Sequence, residues 1–215
     1  MARIAIFGGT FDPVHRGHLT VARAALRRLK LDKLYFVPAG LPPHKQRHPL
    51  APFRHRFRML KLATAREPRF AVSRLEAEGV HYSIDTVRRM KRSLKAGDRL
   101  FFLIGMDAFR DIATWREAEA LVRECEFVVV ARPGSSLKNV GLAVPHGLRR
   151  SAGRTHRRSR GRLSVDGVVM HLLGGVHNRV SATQVRSAAR RGRPLVGLAP
   201  ALVAKYIARK RLYRR

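Results

Sequence analysis

The chain has 215 residues, of which 45% are hydrophobic, and this length and composition suit one α/β domain around a single core. Its lone cysteine, Cys125, excludes an intramolecular disulfide, and no group of Cys and His residues has the spacing of a structural zinc site. No apolar run approaches the roughly 20 residues that a membrane-spanning helix needs, so we predict a cytoplasmic protein without membrane contact.

Charge is the unusual property of this sequence. Lys and Arg total 45 against 14 Asp and Glu, a formal net charge of +31, and Asp166 is the only acid after Glu126. Such a field attracts polyanions, including nucleotides, tRNA and DNA. Because no RRM, KH or zinc-finger signature accompanies the charge, we interpret it mainly as a solvated basic surface, with nucleic-acid binding at most weak and non-specific.

Short apolar runs alternate with amphipathic stretches from residue 3 to residue 131. The continuously apolar runs at 100–104 and 127–131 are typical of strands buried on both faces. Strands that alternate with helices indicate βαβ units, so the predicted fold class is α/β with a doubly wound parallel sheet. The predicted strands are 3–7, 34–37, 70–72, 100–104 and 127–131, and the predicted helices are 57–65, 83–94, 118–123 and one that starts at residue 17.

The alternating pattern breaks at residues 137–163. That segment is rich in arginine and poor in apolar side chains, so it is predicted to be a mobile insertion. We predict a single domain over 1–215, with a small C-terminal helical part at 181–215. The remaining predicted elements are one strand and two helices, at 168–173, 181–191 and 200–209.

A glycine pair, Gly8 and Gly9, follows the first predicted strand directly. In parallel α/β sheets ligands bind outside the carboxyl ends of the strands, so the pair lies at the edge where a site is expected. Glycines let backbone amides approach a phosphate closely, and the Thr10 hydroxyl can donate a further hydrogen bond. The segment is neither a dinucleotide fingerprint nor a P-loop, because both G-x-G-x-x-G and G-K-[ST] are missing.

Two histidines flank a glycine where the next helix is predicted to begin. His15 and His18 lie three residues apart, so both imidazoles share one helical face and can donate to phosphate oxygens. Gly17 is expected to leave room for a ligand, and the helix N-terminus adds unpaired N–H groups and a favourable dipole. A metal site is the alternative, but Asp12 is the only carboxylate nearby, which argues against it.

The segment 8–18 resembles the G-G-T-F-D-P-x-H-x-G-H signature of the HxGH nucleotidyltransferases, in the form typical of bacterial nicotinate-nucleotide adenylyltransferases. The resemblance implies a Rossmann-like nucleotidyltransferase fold and adenylyl transfer from ATP to nicotinate mononucleotide, giving deamido-NAD and pyrophosphate. It also implies Mg²⁺ carried mainly by the ATP phosphates, with no metal ligand from the protein. Further motifs similar to those of the family follow in order along nearly the whole chain, at 42–45, 55–63, 82–86, 102–107, 180–186 and 211–213.

The same resemblance implies three groups of site residues. The catalytic group is His15, His18 and Lys45. The group that binds ATP and its phosphates is Gly8, Gly9, Thr10, Phe11, Gly17, Gly105, Asp107, Ser181, Thr183 and Arg186, where Ser181 has the alternative role of a helix N-cap. The group that binds nicotinate mononucleotide is His44, Ser83, Thr86, Trp115, Arg116 and Arg132.

Two positions depart from the family pattern near the expected pyridine site. Ser83 stands for the usual Thr, and Arg116 stands for the common Tyr. A backbone contact tolerates either change, and Arg116 could in addition hold the nicotinate carboxylate and favour the acid over the amide. Trp115, the only Trp, is expected to stack on the pyridine ring.

Other functions stay open at the level of sequence. The acceptor could be nicotinamide mononucleotide, or the phosphorylated acceptor of the related pantetheine-phosphate or glycerol-phosphate enzymes, which typically lack the Phe-Asp-Pro, Pro-Pro-His-Lys and Trp features. A different class is a nucleic-acid-binding protein that uses the net charge of +31 and keeps a vestigial catalytic domain. The oligomeric state is left open.

Overall fold

The computed structural model describes residues 1–40, 51–131, 140–143, 145, 157–159, 161–165, 167–176 and 178–214. Within them, the strands are β1 (Arg3–Gly9), β2 (Lys33–Pro38), β3 (Phe70–Val72), β4 (Arg99–Gly105), β5 (Glu126–Val130), β6 (Arg157–Ser159), β7 (Arg162–Val165) and β8 (Val168–Leu173). The α-helices are α1 (Arg16–Arg28), α2 (Phe53–Thr64), α3 (Ser83–Arg92), α4 (Met106–Arg110), α5 (Ala118–Glu124), α6 (Ala182–Arg190) and α7 (Ala201–Arg209), with 3₁₀ turns at Ile112–Thr114 and Val140–Ala143. None of these helices is long and apolar enough to cross a membrane.

These strands form one eight-stranded sheet in the order β3-β2-β1-β4-β5-β8-β7-β6. Pairing is parallel from β3 across to β8, and Phe7 of β1 lies beside Phe36 of β2 on one side and Leu103 of β4 on the other. The chain builds outward from β1 to β3, then returns to the centre and builds outward from β4. The crevice between the carboxyl ends of β1 and β4 is therefore the topological switch point, where α/β sheets bind ligands.

Side chains of the central strands alternate between two hydrophobic clusters, one on each face of the sheet. Ala5 and Leu103 belong to the cluster covered by α1, α2, α6 and α7, whereas Ile6 and Phe102 belong to the cluster covered by α3, α4 and α5. Both faces are buried, which confirms the predicted doubly wound α/β fold. The C-terminal helices share the first cluster through residues such as Val203, so they pack on the same core as α1 and α2.

The structure differs from the sequence prediction at the sheet edge. Strand β6 and the beginning of β7 lie inside the segment 137–163 that was expected to be a mobile insertion, so the described part of that segment contains a β-hairpin. Antiparallel pairing satisfies backbone groups whatever the side chains, and charged side chains are common on edge strands because they block further pairing. Leu163 of β7 pairs with Met170 of β8, which attaches the hairpin to the sheet.

A charged cluster ties three strands together near the amino end of β5. Both oxygens of the Glu126 carboxylate accept hydrogen bonds from the Arg99 guanidinium, at 2.7 and 2.8 Å, and Nε2 of His171 lies 2.7 Å from one of them. Burial alone would raise the pKa of Glu126, but the hydrogen bonds from His171 and Arg99 outweigh burial and hold that pKa below its ordinary value. The charged form of Glu126 therefore stabilises the fold.

We expect Glu126→Gln to lower the free energy of unfolding by about 1–3 kcal/mol at neutral pH, since it removes hydrogen bonds to a partly buried charge. A carboxyl with a lowered pKa stabilises the fold above its unfolded pKa of about 4.3, and this contribution is lost as the pH falls through the folded pKa. The difference in the free energy of unfolding between wild type and Glu126→Gln should therefore be smaller in acid than at neutral pH. Urea unfolding at neutral pH and at a pH below the folded pKa measures both values. In the control Glu67→Gln, which breaks the more exposed pair with Arg69, the loss should stay below about 1 kcal/mol. Equal losses at neutral and acid pH would contradict the assignment.

Candidate active site

The site begins where β1 ends. Gly8 and Gly9 close the strand, an irregular segment follows, and α1 starts at Arg16 with His15 as its N-cap. This places the glycine pair and the first turn of α1 at the carboxyl edge of the sheet, beside the switch point. The first four N–H groups of a helix have no intrahelical partner and carry a partial positive charge, so this edge attracts anions.

The neighbouring strand β4 brings a second predicted pair to the same crevice. Gly105 ends β4, and a Cβ placed on it would meet no atom within 4 Å, so the chain leaves open space there. Asp107 follows in the first turn of α4 with an exposed side chain. Both residues, predicted to bind ATP, thus lie at the carboxyl end of β4.

Phe11 supports the site from below instead of lining it. Its side chain is only 2% exposed, and its φ of 49° lies in the left-handed region, which turns the ring back under the glycine pair. A Cβ on Gly9 would lie 3.1 Å from this ring, so a larger residue there would require the Phe11 ring to shift. The Phe11 ring also meets the His18 ring edge-on at 4.9 Å. The Phe11 side chain therefore has a supporting role, and the contact of Phe11 with ATP stays a prediction.

The two imidazoles lie together, as the sequence predicted. The rings of His15 and His18 are stacked with centroids 3.7 Å apart. The backbone N–H of His15 donates to Nδ1 of His18 at 3.2 Å. Because Nδ1 accepts, the proton of the neutral His18 ring resides on Nε2, which makes that atom a hydrogen-bond donor.

Glycine at position 17 is explained by packing and not by the ligand space that the sequence suggested. A Cβ at this position would lie 2.9 Å from Nδ1 of His15 and 3.0 Å from the carbonyl oxygen of Val180. The space that was expected to admit a ligand is therefore occupied by the chain, which packs the segment before α6 against the start of α1. Gly17 is thus needed for the close approach of two helix N-termini.

Helix α6 brings its own N-terminus to the site. Ser181 is its N-cap, and the Ser181 hydroxyl accepts the N–H of Gln184 at 3.2 Å, so the alternative role considered for Ser181 is the one its side chain fills. Thr183 is exposed in the first turn. Arg186, one turn on, donates to the backbone oxygen of Asp12 at 2.7 Å and lies 3.4 Å from the Thr183 hydroxyl oxygen. Arg186 thus links α6 to the segment that follows β1.

A buried guanidinium lies underneath this segment. Arg56 on α2 is 2% exposed, and its N–H groups donate to four backbone carbonyl oxygens. These bonds join the segment after β1, the segment after β2 and the start of α2. Burial lowers the pKa of Arg56, and the charge of Asp12 partly offsets the effect. The four acceptors are Ala51 at 2.9 Å, Thr10 at 2.9 Å, Ala39 at 2.6 Å and Gly40 at 3.0 Å.

The predicted pyridine residues converge on the other side of the crevice. The Arg116 guanidinium lies 4.6 Å from the centre of the Tyr82 ring, which precedes Ser83 at the start of α3. Trp115 is partly buried and meets the Phe102 ring edge-on at 6.5 Å. A Cβ on Gly8 would lie 3.8 Å from the same Phe102 ring, so this ring connects the glycine pair with the Trp115 side.

Thr86 has a positioning role that the sequence did not reveal. It is 2% exposed, and its hydroxyl donates to the Glu76 carboxylate at 2.6 Å. Burial raises the pKa of Glu76, and the Thr86 hydrogen bond partly offsets the effect. The Thr86 hydroxyl therefore fastens the 73–82 segment to α3, and the contact of Thr86 with the mononucleotide stays a prediction. Three other predicted residues, His44, Lys45 and Arg132, lie outside the described residues.

Comparison with known proteins agrees with this geometry. The chain matches the cytidylyltransferase-like family model over residues 6–188. It is 39% identical over 214 residues to the probable nicotinate-nucleotide adenylyltransferase of Geobacter metallireducens, with 98% of each chain covered. It is 37% identical over 215 residues to the protein of the same name from Moorella thermoacetica, covering 99% of this chain and 92% of the relative. The chain belongs to the nicotinate-nucleotide adenylyltransferase family.

The fold likeness extends to distant nicotinate-nucleotide adenylyltransferases. The solved structure of the Plasmodium falciparum nicotinic acid mononucleotide adenylyltransferase complexed with APC superposes with a TM-score of 0.74 at 18% identity, covering 100% of this chain and 98% of that chain. A structure of the same protein complexed with NaAD gives a TM-score of 0.73. At this level of identity the likeness confirms the fold alone.

Three residues that support the site of this nicotinate-nucleotide adenylyltransferase family member were not predicted from the sequence as site residues: Arg56, Asp12 and Glu76. Arg56 was detectable, because it precedes the buried Met59 and Leu60 by three and four residues and so falls on the apolar face of α2. Asp12 and Glu76 carried no such signal. Their partners come from distant parts of the chain, and single-sequence patterns report only local periodicity.

Gly17→Ala tests whether the space beside Gly17 is structural. We expect this variant to lose about 1–3 kcal/mol of stability through overpacking and to lower kcat/KM at least tenfold, because the His15 ring must move. Stability is measured by thermal unfolding and activity by pyrophosphate release. Gly105→Ala is the matched control. It should keep wild-type stability within about 0.5 kcal/mol and raise only the KM for ATP. If Gly17→Ala retained both its stability and its activity, the packing argument would be wrong.

Proposed function

We propose that the chain transfers the adenylyl group of ATP to nicotinate mononucleotide, giving deamido-NAD and pyrophosphate. The observation that carries this proposal is the meeting of two helix N-termini and two imidazoles at the carboxyl end of β1. His15 and His18 begin α1, and Thr183 lies in the first turn of α6. Arg186 joins the two ends through the Asp12 carbonyl oxygen. Together they form a cationic cradle for a triphosphate, and the curated relatives carry the name of this activity.

The reaction needs alignment and charge neutralisation instead of a general base. A phosphate oxygen of nicotinate mononucleotide is already an anion, and it attacks the α-phosphorus of ATP. A new P–O bond forms to that phosphorus as its bond to the α,β-bridging oxygen breaks, and the electron pair leaves on pyrophosphate. Catalysis of such transfers consists mainly of holding the two anions in line and stabilising the charge on the transferred group.

His18 is the residue to which we assign the main donor role. Its Nε2–H can donate to an oxygen of the α-phosphate, because its Nδ1 accepts the backbone N–H of His15. The edge of the Phe11 ring holds the imidazole in place at 4.9 Å. A rigid donor aimed at the charge of a transition state contributes about 2.7–4 kcal/mol. We propose Thr10 and Lys45 as further contacts to the phosphates.

The acceptor is assigned from the residues on the opposite side of the crevice. Trp115 offers a flat ring for stacking on the pyridine, and the N-terminus of α3 at Ser83 offers backbone N–H groups to a carboxylate. The Arg116 guanidinium lies over the Tyr82 ring beside that helix end and adds a positive charge. This combination favours a carboxylate over an amide. We propose His44 and Arg132 as additional contacts to the mononucleotide.

Magnesium is proposed to enter with the nucleotide. In the described part of the chain, no three His, Cys, Asp or Glu side chains lie together in a group that could hold a metal ion. The cradle consists of imidazole, hydroxyl, guanidinium and amide groups, which suit phosphate oxygens. Phosphate oxygens and water are the ligands that Mg²⁺ prefers in nucleotide sites, and the ion would neutralise part of the triphosphate charge.

We propose the cytoplasm as the compartment. Cys125 is a free thiol, and burial raises its pKa far above the ordinary value, so the thiol is kept unreactive. A chain whose single cysteine is buried and unpaired suits a reducing environment, where ATP is also available.

The reaction is tested by incubating the protein with ATP, Mg²⁺ and either nicotinate or nicotinamide mononucleotide, and measuring pyrophosphate. We expect release with nicotinate mononucleotide, slower release with the amide, and little release after chelation of Mg²⁺. The His18→Ala variant is the control for contaminating activity, and its kcat should fall about 10²–10³-fold. Absence of release with both mononucleotides from folded wild-type protein would overturn the proposed function.

Arg116→Ala tests how the acid is distinguished from the amide. Loss of a charge-assisted hydrogen bond to the carboxylate should raise the KM for nicotinate mononucleotide about tenfold and leave the KM for nicotinamide mononucleotide unchanged. Arg123→Ala is the matched control, because Arg123 is exposed on α5 near Asp98, at the amino end of β4. An unchanged ratio of the two KM values in Arg116→Ala would reject a role for this side chain.

A further inference from the structure

The segment between β1 and α1 is shaped by side chains from distant parts of the chain. It is neither strand nor helix, so regular backbone pairing does not set its conformation. Arg56 reaches it from α2 and donates to the Thr10 carbonyl oxygen, and Arg186 reaches it from α6 and donates to the Asp12 carbonyl oxygen. The conformation of this segment therefore depends on these tertiary contacts.

The Asp12 side chain has a partner from the end of the described chain. The Tyr213 hydroxyl donates to Oδ1 of Asp12 at 2.6 Å, and the Ala51 N–H donates to the same oxygen at 3.3 Å. Asp12 is only 4% exposed, so water has little access to this carboxylate. Burial and the neighbouring Asp12 charge raise the pKa of Tyr213, and the phenol stays protonated and able to donate.

The tail that follows α7 takes an unusual path to reach Asp12. Arg211 and Tyr213 have φ values of 48° and 65°, in the left-handed region that side chains other than glycine rarely adopt. Leu212 and Tyr213 pack against the hydrophobic cluster on the α1 and α2 face of the sheet. Conformations of this kind persist only where the surroundings impose them, and they concentrate at functional sites. Packing and the hydrogen bond to Asp12 are the constraints here.

We propose that Tyr213 is a positioning residue for ATP, which holds the triphosphate-binding segment in place through the Asp12 carboxylate. A residue that follows α7 thereby supports a site built on the segment after β1. The inference rests on the proposed function, and it concerns ATP binding alone. The contact lies at the segment after β1 and not at the Trp115 side of the crevice, so the mononucleotide should bind unchanged.

Tyr213→Phe is the direct test, because it removes the hydroxyl and keeps the ring that packs on the core. We expect the KM for ATP to rise about three- to tenfold, because only part of the free energy of a hydrogen bond to a charged group is transmitted to ATP binding, with kcat and the KM for nicotinate mononucleotide within about twofold of wild type. Tyr206→Phe is the matched control. Its hydroxyl lies 2.9 Å from Nδ1 of His55 on α2, and the variant should keep the wild-type KM for ATP.

A double-mutant cycle separates positioning from general stability. If Tyr213 acts through Asp12, Tyr213→Phe combined with Asp12→Asn should raise the KM for ATP no further than the larger single effect. A KM for ATP that is unchanged in Tyr213→Phe, with only the melting temperature lowered, would overturn the proposal. So would an equal rise in Tyr206→Phe. Calorimetric titration with a non-hydrolysable ATP analogue tests the same point without turnover, which distinguishes failure of this inference from failure of the proposed reaction.

Discussion

The buried guanidinium of Arg56 is the constraint on which the site depends. A cation removed from water is costly unless its donors are satisfied, and breaking such an arrangement by removing one partner typically costs about 3–5 kcal/mol. Here the acceptors are carbonyl oxygens of the segments after β1 and β2 and of the start of α2. The chain can satisfy Arg56 in this position only when these three segments lie in one arrangement. The floor of the crevice is therefore set by the folding of α2.

This arrangement also determines which way the backbone points at the crevice. The C=O and N–H groups of a trans peptide point in opposite directions. The Gly9 carbonyl oxygen accepts the Ala39 N–H on the β2 side, so the Thr10 N–H is directed toward β4 and the crevice. The Thr10 carbonyl oxygen accepts from Arg56 below, so the Phe11 N–H is directed away from the interior. The contacts that hold these two carbonyl oxygens, one from the Ala39 backbone and one from the Arg56 side chain, therefore set the direction of the following N–H groups.

The periodicity of apolar residues predicted the strands and helices, and the glycine and histidine motif after the first strand predicted where the crevice lies. The contacts between distant segments depend on packing, which the sequence does not show. The apolar runs of β4 and β5 and the alternation with helices were sufficient for the doubly wound sheet, and the spacing of His15 and His18 placed the two imidazoles on one side of the helix, although not their stacking. The sequence did not reveal the structural reasons for Gly17 and Thr86. A single sequence does not show that the Val180 carbonyl oxygen fills the space beside Gly17 or that the Glu76 carboxylate accepts from the Thr86 hydroxyl. The hairpin in the arginine-rich segment was missed because edge pairing uses backbone groups and needs few apolar side chains.

The hydrogen bonds to carboxylates near the crevice bear on the charge that the two substrates meet there. Two repelling polyanions must meet in one crevice, and an uncompensated carboxylate beside them would raise the barrier. Asp107 is exposed beside the crevice, whereas two other nearby acids each have an internal donor: Asp12 accepts from the Tyr213 hydroxyl and Glu76 accepts from the Thr86 hydroxyl. One oxygen of each of these two carboxylates is thereby held by the protein. The net charge of +31 then acts at longer range, where it raises the local concentration of nucleotides in a way that salt screens.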